Sequence, residues 1–150
     1  PGQVVIAGNR AAVERGMELA KAKGAKRAIM LPMSVPSHCS LLKGAAEQLR
    51  DYLGKVELQT PGIPVLHNAD VKNHADSASI KDALVRQAAA PVRWVEIIRA
   101  MAAQGVTHVV ECGPGKVLAG LVKRIDPNLQ GIAAADRASL EQALATVKGG

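Results

Sequence analysis

Phenylalanine is absent from this sequence, and tryptophan and tyrosine occur once each, as Trp94 and Tyr52. A chain so poor in rings has no row of aromatic platforms, which argues against a nucleic-acid binder that stacks bases. Its interior must be filled by Ala, Val, Leu and Ile. Cysteine is scarce as well: Cys39 and Cys112 lie far apart without C-x-x-C spacing. Neither a zinc site nor a disulfide framework is signalled, and a reduced, cytoplasmic setting is expected. No apolar stretch approaches membrane-spanning length, so no membrane association is expected. The chain opens "PGQVVIAG", without Met and almost directly in a strand-like run, as expected of a chain that starts inside a longer parent.

What is present is aliphatic bulk. With 48% hydrophobic content over 150 residues, the chain can bury one respectable core, or one small lobe plus part of a larger one. The formal charge of +6 is spread along the amphipathic segments rather than gathered in a run. An acidic protein or a polyanionic cofactor suits that distribution better than a nucleic-acid backbone.

Periodicity alternates between two patterns. "QVVIAG" reads as a short β-branched strand, and Asn9 leads into "RAAVERGMELAKAKG", where Val13, Met17 and Ala20 share a helical face and Gly24 provides the stop. "RAIMLPMSV" reads as a second strand interrupted by Pro32, completing a β-α-β unit. From His38 the spacing of Leu42, Ala45, Leu49 and Leu53 predicts a helix starting near His38, with Ser37 as N-cap. "PGIPVL" is a turn and a short strand. Asp76 or Ser77 can cap the run "SIKDALVRQAAA", and Pro91 ends it, because the residue before a proline is pushed out of the helical region. "VRWVEIIRAMAAQG" is a further helix closed by Gly105, and "THVVEC" a nearly all-apolar strand of the kind buried on both faces. "GPGK" turns into the helix "VLAGLVKRI". A last strand, "GIAAAD", precedes "SLEQALATVK", with Ser139 and Gln142 as a capping box. Strands alternating with helices give an α/β fold with a largely parallel sheet.

Four features could carry chemistry. His38, placed at a helix start, would be held neutral by the positive end of the helix dipole, as a general base requires; a capping or packing histidine is the competing reading. "ECGPGK" (Glu111 to Lys116) is a strand, turn and helix start that could cradle an anion on free N–H groups. It lacks the spacing of a phosphate loop, which favours a structural turn. Cys39 beside His38 could be a nucleophile, but adjacent residues at a helix start point in different directions. His67, His74 and His108 show no metal-ligand spacing and read as surface or loop residues, so no metal site is expected.

Four blocks, "PGQVVIAG", "LPMSVPSHCSLL", "VRQAAAPVRWVE" and "ECGPGKVLAGLVKRI", occur in this order and together resemble the C-terminal half of bacterial malonyl-CoA:acyl carrier protein transacylases of type II fatty acid synthesis. The similarity runs from Pro1 to about Ile125. It implies part of a hydrolase-like parallel-sheet α/β core (residues 36–150) and the closing β-α-β of a small ferredoxin-like lobe (residues 1–35). It also implies transfer of malonyl from coenzyme A to the phosphopantetheine thiol of acyl carrier protein through a serine ester, with no cofactor of the enzyme's own. On the family pattern His38 of the "PSHC" block is the general base of a serine-histidine dyad. The backbone carbonyl of Gln87 orients its ring without adding a buried charge, and Ser37 helps shape the acyl pocket.

The family's "GHSxGE" nucleophile elbow, its "PGQG" oxyanion loop and its carboxylate-gripping arginine do not occur here. The family pattern therefore puts the nucleophilic serine on an N-terminal half outside this chain. Small residues in "AAAPVRW" also replace an aromatic common before the proline. The alternative implied by these gaps is a non-catalytic piece that only binds acyl carrier protein or packs against that N-terminal half.

Overall fold

A computed structural model describes residues 3–149. They group into two compact units, Gln3–Arg93 and residues 94–149.

In the first unit an extended segment (residues 3–7) leads to α1 (Arg10–Ala22). Gly24, at φ +91°, makes the left-handed exit that the sequence places there. A second segment in neither helix nor strand spans residues 27–33, its Met33 N–H turned back to the Leu31 carbonyl at 2.8 Å, and the chain bends at Ser34 and Val35. Neither segment forms a strand ladder among the described residues, so the predicted β-α-β pairing is absent. Both segments are apolar yet exposed, Val4 at 86%. Their composition favours extension, but only a partner strand can convert extension into a sheet.

The helix expected from His38 also starts later. A 3₁₀ turn (Ser40–Leu42) precedes α2 (Lys43–Gly54), and Ser37 is not its N-cap. A two-stranded antiparallel hairpin follows, β1 (Leu66–His67) with β2 (Lys72–Asn73). Helix α3 (Ser77–Ala89) is capped by Asp76, whose carboxylate accepts from the Ser79 N–H at 2.8 Å. Helices α2 and α3 pack together, burying Ala46, Ile80, Ala83 and Val85. Ala90 is extended (φ −108°, ψ 150°), as the residue before Pro91 must be.

The second unit holds α4 (Trp94–Ala103), β3 (His108–Cys112), α5 (Val117–Ile125), β4 (Gln130–Ala134) and α6 (Arg137–Lys148). Strands β3 and β4 run parallel, His108 opposite Gln130 and Cys112 opposite Ala134, with α5 as the crossover. β3 is half-buried rather than covered on both faces. Ile98, Val122 and Leu129 form the core, with Trp94, Met101, Val109 and Ile125 packed around it. The capping box of α6 is shifted from the expected Ser139–Gln142 pair: Asp136 accepts from the Ser139 N–H (2.8 Å) while Ser139 Oγ accepts from the Asp136 N–H (2.9 Å). Asp136 precedes the helix in extended backbone, where its short carboxylate reaches the N3 amide; Ser139 is already inside the first turn. Among the described residues no helix is long and apolar enough to cross a membrane.

Candidate active site

His38 stands on the loop between the second unpaired segment and the 3₁₀ turn, with φ +60°. A left-handed backbone is uncommon outside glycine, although histidine tolerates it better than branched residues do. Two hydrogen bonds from the end of α3 hold it there. Its backbone N–H donates to the Ala88 carbonyl at 3.2 Å, and its ring Nδ1 lies 2.9 Å from the Gln87 carbonyl oxygen. A carbonyl can only accept, so that contact requires Nδ1 to carry the proton and leaves Nε2 of the neutral ring with its lone pair free. The ring is exposed. Among the described residues no serine or threonine hydroxyl is bonded to Nε2.

His38 and Gln87, 49 positions apart, are thus brought together. Ser37 lies beside them half-buried, its N–H donating to the Val35 carbonyl at 2.9 Å. The thiol of Cys39 turns back to the Pro36 carbonyl at 3.2 Å rather than toward the imidazole. Cys39 and Cys112 are both free thiols.

The other expected features resolve differently. His67 is buried at 6% exposure on β1, not on the surface. Burial lowers its pKa, with the neighbouring His74 and Arg86 acting in the same direction and Asp70 opposing them. His74 is largely buried and bonds through Nε2 to Asp70 at 3.0 Å. Asp70 also receives the Arg86 guanidinium at 2.7 Å, which holds its carboxyl far below the usual carboxylate range. Arg86 in turn bonds Asp82 at 2.6 Å. This network ties the hairpin turn to the last turn of α3, beside Gln87. It escaped sequence reading, although an acid and a histidine four apart (Asp70, His74) were its local signal. His108 lies on β3, its Nδ1 2.8 Å from the Thr107 hydroxyl. No group of three His, Cys, Asp or Glu that could hold a metal occurs among the described residues.

The "ECGPGK" turn carries its own anion. Glu111 Oε2 accepts from the Ala119 N–H of α5 at 2.8 Å, so an internal carboxylate satisfies one N–H of the helix's first turn.

No protein-family model matches the chain, but individual relatives do. It is 54% identical over 144 residues to the malonyl CoA-acyl carrier protein transacylase of Salmonella typhimurium, covering 96% of this chain and 47% of that protein. Its identity to the Bacillus subtilis transacylase is 44% over 148 residues, again 47% of that protein. Among solved structures, the acyl-carrier-protein S-malonyltransferase of Burkholderia pseudomallei superposes with a TM-score of 0.87 at 59% identity, over 91% of this chain and 44% of that one. A malonyl-transacylase solved in complex with a type II polyketide acyl carrier protein gives 0.90 at 47% identity, over 93% and 45%. All four relatives are transferases of malonyl groups. The chain belongs to the malonyl CoA-acyl carrier protein transacylase family and spans about half the length of the curated relatives it matches.

Proposed function

We propose that this chain is the C-terminal, base-bearing part of a transacylase that moves malonyl from coenzyme A to the thiol of acyl carrier protein, a step of fatty acid synthesis. The observation that carries the reading is the 2.9 Å contact between His38 Nδ1 and the Gln87 carbonyl. A ring so held presents an unprotonated Nε2. In this mechanism Nε2 takes the proton of a serine hydroxyl supplied from outside this chain as the oxygen attacks the malonyl thioester carbonyl. The tetrahedral intermediate collapses, the C–S bond breaks, and the imidazolium returns the proton to the departing coenzyme A thiolate. In the second half Nε2 takes the proton of the phosphopantetheine thiol, the sulfur attacks the serine ester, and the serine oxygen leaves with that proton. Charge and protons balance without a metal or a resident cofactor, so malonyl-CoA enters as substrate only.

Ser37, half-buried next to the base, is assigned to the acyl pocket. Residues 1–35 would complete a ferredoxin-like lobe and residues 36–150 would belong to a hydrolase-like core, so the unpaired segments would gain their sheet partners from the rest of the protein. The net charge of +6 suits an acidic carrier protein, and two free thiols suit a reducing cytoplasm.

The test is His38→Ala in the full-length transacylase, assayed for malonyl transfer to carrier protein. The turnover number is expected to fall by about 10²- to 10⁴-fold. Gln87→Ala, which keeps the backbone carbonyl, is expected to stay within about threefold of the parent, far inside that range. A near-normal rate for His38→Ala would remove the proposed base.

A further inference from the structure

The carbonyls that hold His38 are the ones an α-helix would normally use itself. In a continuing helix the Gln87 carbonyl accepts from the N–H of residue 91, and the Ala88 carbonyl from the N–H of residue 92. Residue 91 is a proline and has no N–H. Its ring also pushes Ala90 into extended backbone, so the helix stops at Ala89 and Val92 is carried out of register. The two vacated acceptors are taken up, in order, by the Nδ1 of His38 (2.9 Å) and the backbone N–H of His38 (3.2 Å). The residues just before the proline, Ala88, Ala89 and Ala90, are the strongest helix formers available. Nothing in their own preference ends the helix where it ends; the proline does.

We propose that Pro91 is a positioning residue for His38: it stops α3 before those two bonds can form, so that the Gln87 and Ala88 carbonyls stay open for the imidazole and the backbone of that histidine. The inference rests on the reading of His38 as the base, but its structural half can be tested separately. With Pro91→Ala the sequence becomes a run of four alanines, the helix extends by about one turn, and both carbonyls are diverted to the new N–H groups. The His38 ring then loses the acceptor that fixes its tautomer.

The experiment uses the full-length transacylase with ¹⁵N-labelled histidine, comparing the parent with Pro91→Ala and Pro91→Gly. In the parent, long-range ¹H–¹⁵N spectra should show His38 protonated at Nδ1. In Pro91→Ala the signal should shift to the Nε2–H form, the amides of residues 91 and 92 should become protected from hydrogen exchange, and kcat should fall at least tenfold with the KM for malonyl-CoA within twofold, within the range that loss of an oriented base allows. Pro91→Gly restores the N–H but disfavours helix, so it should lie between the parent and Pro91→Ala on all three readouts. A merely structural role for the proline predicts the reverse order, since glycine loosens the loop more than alanine does. Retention of the Nδ1–H form in Pro91→Ala, or a larger loss in the glycine variant than in the alanine one, would overturn the proposal. If the tautomer shifts as described while His38→Ala stays active, the positioning stands and the base assignment falls.

Discussion

Two glycines eleven positions apart make opposite predictions from the same geometry. Gly131 on β4 faces the backbone of α5: a methyl group added there would run into the Ala119 carbonyl oxygen and sit 2.9 Å from its carbonyl carbon and 3.1 Å from its Cα. The obstruction is main chain, so no rotamer change relieves it. Helix α5 cannot easily retreat, because the Ala119 N–H is pinned by Glu111. Opening the β4–α5 contact by roughly 1 Å forfeits a quarter to a half of the dispersion attraction across it. Overpacking of this kind costs about 1–3 kcal/mol, and a rigid backbone obstacle places Gly131→Ala near the upper end.

Gly120, inside α5, has nothing within 4 Å of the same added atom. There alanine relieves the entropic cost of a helical glycine, and Gly120→Ala should stabilise by up to about 1 kcal/mol. In urea, with a slope of about 2 kcal/mol per M, Gly131→Ala should lower the unfolding midpoint by roughly 1–1.5 M and Gly120→Ala raise it by up to about 0.5 M. Trp94, packed on the Ile98, Val122 and Leu129 core of the same unit, is the fluorescence reporter. A change below about 0.5 kcal/mol in Gly131→Ala, the level of ordinary surface substitutions, would refute the packing argument.

Glu111→Ala should cost about 1 kcal/mol in the same urea assay, because it returns an unsatisfied N–H to the start of α5; Glu111→Gln, which keeps an acceptor but loses the charge, should recover part of it. His67 should give the fold an acid-sensitive step. Its folded pKa lies below the ordinary 6.5, so its contribution is fully present above that value and is lost as the pH falls through the folded one. The urea midpoint should therefore drop as the pH falls below about 6.5. His67→Asn should flatten that drop, and an unchanged slope would show that burial of the neutral ring is not its source.

The helices were legible because their signals are local. Asp76 before "SASI", Pro91 after "QAAA" and Gly105 after "AMAAQ" each act within a turn or two of the residue that carries them, and α3 and α4 lie where those signals put them. β3, β4 and the crossover between them also follow from pattern, since both strands and the helix that joins them lie on one stretch of chain. The unpaired segments at residues 3–7 and 27–33 show what local pattern leaves open. "QVVIAG" and "RAIMLPMSV" state a preference for extension, but a ladder needs N–H and C=O partners that no local pattern specifies. The start of α2 failed for a related reason: hydrophobic spacing fixes a helix face, while the left-handed His38 that delays the helix answers to hydrogen bonds made with α3.

Those bonds are why the site was legible only through family likeness. No spacing rule links His38 to Gln87, and nothing in "PSHC" distinguishes an oriented ring from a capping one. The link becomes intelligible once the end of α3 is read as a supply of acceptors rather than as a boundary. A helix exposes four carbonyls at its C-terminus wherever it stops, and buried or ordered groups nearby tend to take them up. Moving the stop by one residue would present a different pair. If His38 is the base proposed above, the proline that ends α3 also selects which carbonyls that base meets, and a position without any reactive group would bear on the chemistry through the register it sets.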